Sequence, residues 1–201
     1  MQLRRCGTHA VLVEVDSLGE VEAVRAAVEA AELPDVVELV PAARTVLIVT
    51  RPGAMQAVRK MLTTVDLVHH PGTVSDEVVI PVRYDGPDLD LVAETAGLTT
   101  AEVVDLHAGA TYQVAFCGFA PGFAYLTGLP EPLRQPRLDS PRTKVPAGSV
   151  AVAGEYTAAY PRATPGGWRL IGRTDAPLFD PRRPTPALLT PGHRVRFEAT
   201  P

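Results

Sequence analysis

The chain has 201 residues, of which 46% are hydrophobic and 21% charged, and its formal charge is −4. This length fits one large domain or two small ones, and the hydrophobic content is sufficient for real cores. The acidic balance argues against nucleic acid binding, which needs a positively charged face.

The two cysteines, Cys6 and Cys117, are far apart and provide neither a disulfide framework nor the spacing of zinc ligands. Nothing in the sequence resembles a signal peptide, and no apolar run approaches the roughly 20 residues that span a bilayer. We therefore expect a reduced, soluble, cytoplasmic protein.

The first part of the chain alternates strand and helix patterns. Short apolar runs predict strands at Ala10–Val15, Val36–Val40 and Thr45–Val49. The segment Ser17-Leu-Gly-Glu20 has the form of a capping box and predicts a helix after it, and a second helix is predicted over Gly53–Leu62. The order β-α-β-β-α is most of a split βαβ unit.

The last strand of this unit has two candidates, Val65–His69 and Val78–Tyr84, and the pattern does not choose between them. Pro81 predicts an edge or strand-switch position for the second candidate. The adjacent histidines His69 and His70 could be considered as a pair of metal ligands. Because adjacent residues of an extended chain point in opposite directions, they chelate poorly, and we predict no metal site.

Proline marks a change of character along the chain, since six of the 20 prolines precede Phe116 and 14 follow it. This shift predicts two structural units. The second unit begins with two short helices, one capped by Asp88 and ended by Gly97, the other starting at the capping box of Thr99. Short strands with proline-rich connections then predict a small β-barrel; they are Tyr112–Phe116, Val150–Ala153, Trp168–Ile171 and Arg194–Glu198.

Candidate site residues concentrate between Cys117 and Arg173. In the first of three segments, Phe119, Phe123 and Tyr125 surround Pro121-Gly122. Proline followed by glycine suits a type II turn, which exposes amide groups and allows a ligand to approach closely. The alternative is an aromatic plug on the barrel.

The second segment, Pro141–Ser149, carries Arg142 and Lys144, which lie on the same side if the backbone is extended. Between residues 131 and 146, four cations stand against two anions, although the whole chain is acidic. Guanidinium and ammonium groups favour an anion site. The alternative is a solvated charged loop.

The third segment contains Tyr160 and, after Gly166-Gly167, the only tryptophan, Trp168. A glycine pair lets the backbone fold tightly and present the indole to a pocket, whereas the alternative is an interior tryptophan that anchors the barrel. His107 ends the second short helix. It fits either a structural cation at a helix C-terminus or a histidine delivered to the aromatic turn.

Several catalytic signatures are missing: the GxxxxGK[ST] phosphate loop, GxGxxG, HExxH, CxxC and GxSxG. The chain therefore does not have the features of a complete, self-contained enzyme of those kinds.

Long motifs nevertheless resemble one known family. They are FAPGFAY (119–125), PRTKVPAGSV (141–150), Tyr160-Pro161 and TPGGWRLIGRT (164–174), supported by residues 80–107 and 178–197. These stretches resemble the B-type subunit of the ATP-dependent 5-oxoprolinase, a family also called allophanate hydrolase subunit 1. The family includes the Kip-type sensor-kinase inhibitor.

This resemblance implies an α+β protein with a ferredoxin-like domain over residues 1–77 and a cyclophilin-like β-barrel over 78–201. It implies two partners, a homologous C-type subunit (allophanate hydrolase subunit 2) and an A-type subunit, with which the chain opens 5-oxoproline to L-glutamate at the expense of ATP. The chain would be inactive alone, and the resemblance does not say which of the three proteins binds ATP. Two alternatives remain open: a binding module that inhibits a sensor histidine kinase, and a subunit of an amidolyase or allophanate hydrolase.

The resemblance also selects site residues. It implies catalytic roles for His107, Arg142 and Lys144. It implies substrate-binding roles for a larger set drawn from all three segments: Phe119, Pro121, Gly122, Phe123, Tyr125, Pro146, Ser149, Tyr160, Gly166, Gly167 and Trp168.

Overall fold

The computed structural model describes residues 1–65 and 77–201. The chain divides into two compact units, Met1–Val74 and Ser75–Pro201. The predicted strand Val65–His69, apart from Val65, and the pair His69-His70 lie outside the described residues.

The first unit is a four-stranded antiparallel sheet with two helices. Its elements are β1 (Gln2–Cys6), β2 (Ala10–Glu14), α1 (Leu18–Ala30), β3 (Val36–Pro41), β4 (Thr45–Thr50) and α2 (Met55–Leu62). The strand order is β1-β2-β4-β3, so the sequence missed an edge strand, β1. Its residues QLRRC lack the apolar alternation that identifies a half-buried strand.

The core of the first unit lies between this sheet and its helices. Helix α1 begins where the Ser17 hydroxyl accepts a hydrogen bond from the Glu20 amide, as predicted. It buries Val21, Val24 and Val28, whose spacing places them on one face.

The described part of the second unit contains nine β-strands and two α-helices. They are β5 (Glu77–Val82), α3 (Leu89–Ala96), α4 (Thr100–Gly109), β6 (Thr111–Cys117), β7 (Ala124–Thr127), β8 (Arg142–Val145), β9 (Ser149–Ala153), β10 (Tyr156–Ala159), β11 (Thr164–Gly166), β12 (Arg169–Arg173) and β13 (Arg194–Ala199). Seven strands form one sheet in the order β12-β9-β10-β7-β6-β13-β5, while β8 pairs with β11.

The predicted edge position of Pro81 is confirmed, because β5 is the last strand of this sheet and pairs only with β13 among the described strands. The segment Val78–Tyr84 is not the last strand of the first unit, because its strand β5 belongs to the sheet of the second unit. Helix α4 starts at the predicted capping box, in which Thr99 and Glu102 exchange both hydrogen bonds.

The seven-stranded sheet curls until its two edges meet. Arg83, just beyond β5, forms a bridge with Arg173 at the end of β12, with N–H···O distances of 2.9 and 2.8 Å. The result is a mixed α+β fold with a nearly closed, barrel-like sheet. We call the meeting line of β5 and β12 the seam.

Candidate functional site

The seam brings two backbones unusually close together. A Cβ on Gly172 would lie 2.5 Å from the Arg83 carbonyl oxygen, and one on Gly86 would lie 2.3 Å from the Leu170 carbonyl oxygen. Real Cβ atoms are not found at such distances from backbone, so both positions require glycine.

A cavity of about 460 Å³ opens at the seam, and we call it the seam cavity. Its charged lining residues are Arg142, Lys144, Arg173, Asp85 and Asp175, and the remainder of the wall includes Pro146 and Ser149. This volume lies in the range of small-molecule sites.

Strand β8 directs the two predicted cations into the seam cavity. Because side chains alternate along a strand, Arg142 and Lys144 share one face while Val145 points into the core. The prediction that the two cations lie on the same side is therefore confirmed.

Asp88 holds Arg142 in position. The Arg142 Nη2 donates to Asp88 Oδ1 at 2.6 Å, and the other carboxylate oxygen accepts from the Leu170 amide at 2.7 Å. Asp88 was predicted to cap α3 with its side chain, but no such bond forms, because both oxygens are occupied elsewhere. The second guanidinium nitrogen, Nη1, is buried without a hydrogen-bond partner among the described residues.

The remaining aromatic candidates form a separate group, which we call the aromatic cluster: Phe119, Phe123, Tyr125, Tyr160 and Trp168. Phe123 lies at its centre, with ring centroids 5.0 to 5.6 Å from those of its four neighbours. These edge-to-face contacts are the arrangement that aromatic quadrupoles favour.

Most of the aromatic cluster is interior. Trp168 is only 5% exposed and Phe123 1%. Burial raises the pKa of Tyr160 to about 12, and its hydroxyl lies where a Cβ on Gly166 would come within 2.6 Å. Gly166 is therefore needed to make room for the phenol.

The turn before this cluster has the predicted type II geometry. The Phe123 amide donates to the Ala120 carbonyl at 2.9 Å, and Gly122 has the φ of +81° that the third position of such a turn requires. Phe119 has a φ of +66° and is 58% exposed. This turn lies beside Leu178 and Phe179, which a Cβ on Gly122 would contact.

His107 lies inside the second unit and has no exposed surface. Its ring nitrogens are within 2.8 Å of the Tyr84 hydroxyl and 2.9 Å of the Thr157 hydroxyl, and the ring stacks on Phe197. Burial lowers the pKa of His107 to about 3, so the ring is neutral at pH 7.

A family model described as carboxyltransferase domain, subdomain C and D, matches residues 1–189. The chain belongs to this family. It is 41% identical to the Escherichia coli O157:H7 protein named as the B subunit of 5-oxoprolinase, over 98% of this chain and 96% of that protein.

Solved structures of similar proteins have the same fold as this chain. The crystal structure of TTHA0988 is 35% identical and matches all of this chain with a TM-score of 0.81. The chain spans only 40% of the length of that protein. Kluyveromyces lactis urea carboxylase, at 20% identity, is similar in fold over 99% of this chain and 22% of its own length, with a TM-score of 0.69.

Of the three predicted segments, only the second contributes its candidate residues to the seam cavity. Arg142, Lys144, Pro146 and Ser149 line the seam cavity, whereas the residues of the aromatic turn and the Gly-Gly-Trp segment do not. The physical reason is the alternation along β8, which turns Val145 toward the aromatic cluster and the cations away from it.

The resemblance implies a catalytic role for His107, and a histidine that transfers protons must reach the substrate or its water. Complete burial between Tyr84, Thr157 and Phe197 instead gives it a packing role. The sequence could not reveal this, since the same helix position fits either role.

Sequence reasoning missed the acidic half of the seam cavity. Both Asp85 and Asp175 line it, and neither residue was among the candidate site residues predicted from the sequence. Among residues 1–65 and 77–201, no group of three or more histidine, cysteine or acidic residues is arranged to hold a metal ion. No described helix is both long and apolar enough to cross a membrane.

Proposed function

We propose that this chain is a subunit of an ATP-dependent 5-oxoprolinase, which opens the lactam ring of 5-oxoproline to L-glutamate. One observation carries the proposal. A chain related over 98% of its length to a protein named as the B subunit of 5-oxoprolinase has Arg142 and Lys144 in one cavity of metabolite size.

The chemistry explains why such a cavity needs cations. Water adds to the lactam carbonyl carbon, the C–N bond breaks, and the nitrogen takes up protons to become the α-ammonium of glutamate. Negative charge develops on the carbonyl oxygen during the addition. A fixed cation such as Lys144 stabilises that charge, while Arg142, oriented by Asp88, binds the substrate carboxylate.

The residues of the seam cavity do not fit ATP. Two carboxylates, Asp85 and Asp175, line it, and Arg173 is already paired with Asp85 at 2.8 Å. Because Arg142 and Arg173 are already paired with carboxylates, the unpaired charge of Lys144 is too little to neutralise a triphosphate beside Asp175. The sequence also lacks a phosphate loop, so we assign no step of ATP chemistry to this cavity and expect the nucleotide to bind elsewhere in the complex.

The proposed partners are a homologous C-type subunit and an A-type subunit, and the chain is proposed to be inactive without them. The word "subunit" in the name of the E. coli relative supports an assembly of several chains. We also propose a cytoplasmic location, where a metabolite hydrolase would meet its substrate.

For the fold, we propose that residues 1–77 form a variant of the ferredoxin-like domain and 78–201 a cyclophilin-like barrel. In the first unit β2, β4 and β3 stand in the order of the first, third and second strands of a split βαβ unit. Strand β1 occupies the edge that the fourth strand would take, so the edge strand comes from the start of the chain.

The test is substitution of the unpaired cation. Lys144→Met in the assembled complex is expected to reduce 5-oxoproline-dependent ATP hydrolysis by about 10²- to 10³-fold, the usual cost of losing an oxyanion-stabilising group. Size-exclusion chromatography should show an intact complex, because the Lys144 side chain is exposed and has no hydrogen-bond or ion-pair partner among the described residues. The matched control is Lys60→Met, which changes the other lysine of the sequence, an exposed residue of α2. This variant should retain full activity. Turnover by Lys144→Met equal to that of the native complex would contradict the proposal.

A further inference from the structure

Two opposite charges of the seam cavity are free for a ligand. Arg142 is paired with Asp88 at 2.6 Å and Arg173 with Asp85 at 2.8 Å. Lys144 and Asp175 line the same cavity, and within the described parts of the chain neither side chain has an ion-pair or hydrogen-bond partner.

This pattern restricts the charge of a ligand that fits well. A purely anionic ligand is attracted by Lys144 but repelled by Asp175. A purely cationic ligand is attracted by Asp175 but repelled by Lys144. A ligand that carries one group of each sign can satisfy both side chains. The smallest common metabolites with that property are free α-amino acids.

The 5-oxoprolinase reaction changes its ligand in this respect. The lactam substrate carries a carboxylate, but its ring nitrogen is an uncharged amide. Ring opening converts that nitrogen into an ammonium group, so only the product is zwitterionic at its α-carbon. Asp175 therefore gains a partner when the ring opens.

We propose that the seam cavity binds a free α-amino acid, with a carboxylate at Lys144 and the ammonium at Asp175. In L-glutamate the carboxylate at Lys144 is the one formed from the lactam carbonyl, and the α-carboxylate lies at Arg142, whose Nη1 has no hydrogen-bond partner among the described residues. We further infer that the product L-glutamate occupies the cavity in this way and inhibits turnover. The identity of the amino acid rests on the function proposed above, whereas the zwitterion preference rests on the cavity itself.

Isothermal titration calorimetry on the full chain and on the assembled complex tests the preference. The probes are L-glutamate and L-2-hydroxyglutarate, in which a neutral hydroxyl replaces the ammonium. Because a charge-assisted hydrogen bond is lost, L-glutamate should bind about tenfold or more tightly than the hydroxy acid. Equal affinity for the two probes, or no binding of L-glutamate by either preparation, would overturn the proposal.

Variants assign the two charges separately. Asp175→Asn should remove the preference for L-glutamate while leaving affinity for the hydroxy acid unchanged or improved. Lys144→Met should weaken both probes by about tenfold or more. Asp139→Asn and Lys60→Met change exposed residues outside the cavity and should bind as the native chain does. A preference that survives in Asp175→Asn would sink the assignment of the ammonium site.

Product inhibition separates this inference from the proposed function. In the active complex, L-glutamate should compete with 5-oxoproline, and its inhibition constant should rise about tenfold or more in Asp175→Asn. A complex without 5-oxoproline turnover whose seam cavity still prefers L-glutamate would refute the function and keep the amino-acid site. Normal turnover of 5-oxoproline by a complex that does not prefer L-glutamate would support the function and refute the amino-acid site.

Discussion

The seam cavity and the aromatic cluster arise from overlapping stretches of chain, yet their side chains face different surroundings. Strand β8 separates them, because Arg142 and Lys144 point into the cavity and Val145 points into the cluster. The cavity has charged groups with room around them, while the rings of the cluster pack edge to face and, apart from Phe119, have little exposure. The comparison shows that a segment rich in glycine, proline and aromatics can serve binding on one face and packing on the other.

Truncation of the tryptophan should affect stability most. Trp168→Ala removes a side chain that contacts both Phe123 and Tyr125, and we expect a loss of about 3–5 kcal/mol in the free energy of unfolding. Urea denaturation of the chain measures this directly. A loss below about 1 kcal/mol, the size of an ordinary surface change, would show that the indole is not an anchor.

Asp88 joins Arg142 of β8 to the Leu170 amide of β12, so its substitution should affect both stability and activity. Asp88→Asn places an amide where two donors, Arg142 and the Leu170 amide, need acceptors, which should cost about 2–3 kcal/mol. Turnover should also fall because Arg142 loses its orientation. Asp90→Asn, on exposed α3 surface, is the control; equal effects of the two substitutions would argue against this role.

The seam itself can be tested with a single methyl group. Gly172→Ala puts a Cβ 2.5 Å from the Arg83 carbonyl oxygen, and overpacking of this kind typically costs about 1–3 kcal/mol. Gly109→Ala, where nothing lies within 4 Å of the added methyl, is the matched control. Thermal melting of both variants decides whether the seam is as tight as described, since equal melting temperatures would mean that the edges separate easily.

The last effect concerns pH and His107. Burial lowers the pKa of the folded ring to about 3, whereas the unfolded chain binds a proton near the ordinary value of 6.5. The stability contributed by the neutral ring is therefore complete above pH 6.5 and decreases as the pH falls toward 3. The melting temperature of the native chain should drop more between pH 7 and 4.5 than that of His107→Gln. Parallel pH profiles would refute the neutral, buried ring.

Much of the fold could be read from the sequence because local signals were strong. The capping box of Thr99 and the alternation of β5 define elements within a few residues, and Pro81 indicates the edge. Strand β1 was not predicted, because its residues QLRRC are mostly exposed and lack apolar alternation. Both outcomes have one cause: an element can be predicted when its buried face produces a periodic pattern of apolar residues in the sequence.

The candidate site was less predictable because it depends on contacts between distant residues. Arg142 and Lys144 were found from charge and spacing, but Asp88, 54 positions earlier, was assigned only to a helix cap. Nothing in the neighbourhood of Asp175 marks it as a cavity residue. The interior position of Trp168 was an alternative that only the packing of β8 against the cluster could decide.

The most direct test of the division between cavity and cluster compares two substitutions in one assay. Complexes carrying Lys144→Met or Trp168→Phe would be assayed for 5-oxoproline-dependent ATP hydrolysis at a temperature where both remain folded. We predict a loss of about 10²- to 10³-fold for Lys144→Met and activity close to native for Trp168→Phe, which keeps an aromatic ring in the cluster. Native-like turnover by Lys144→Met together with inactivity of folded Trp168→Phe would contradict the account.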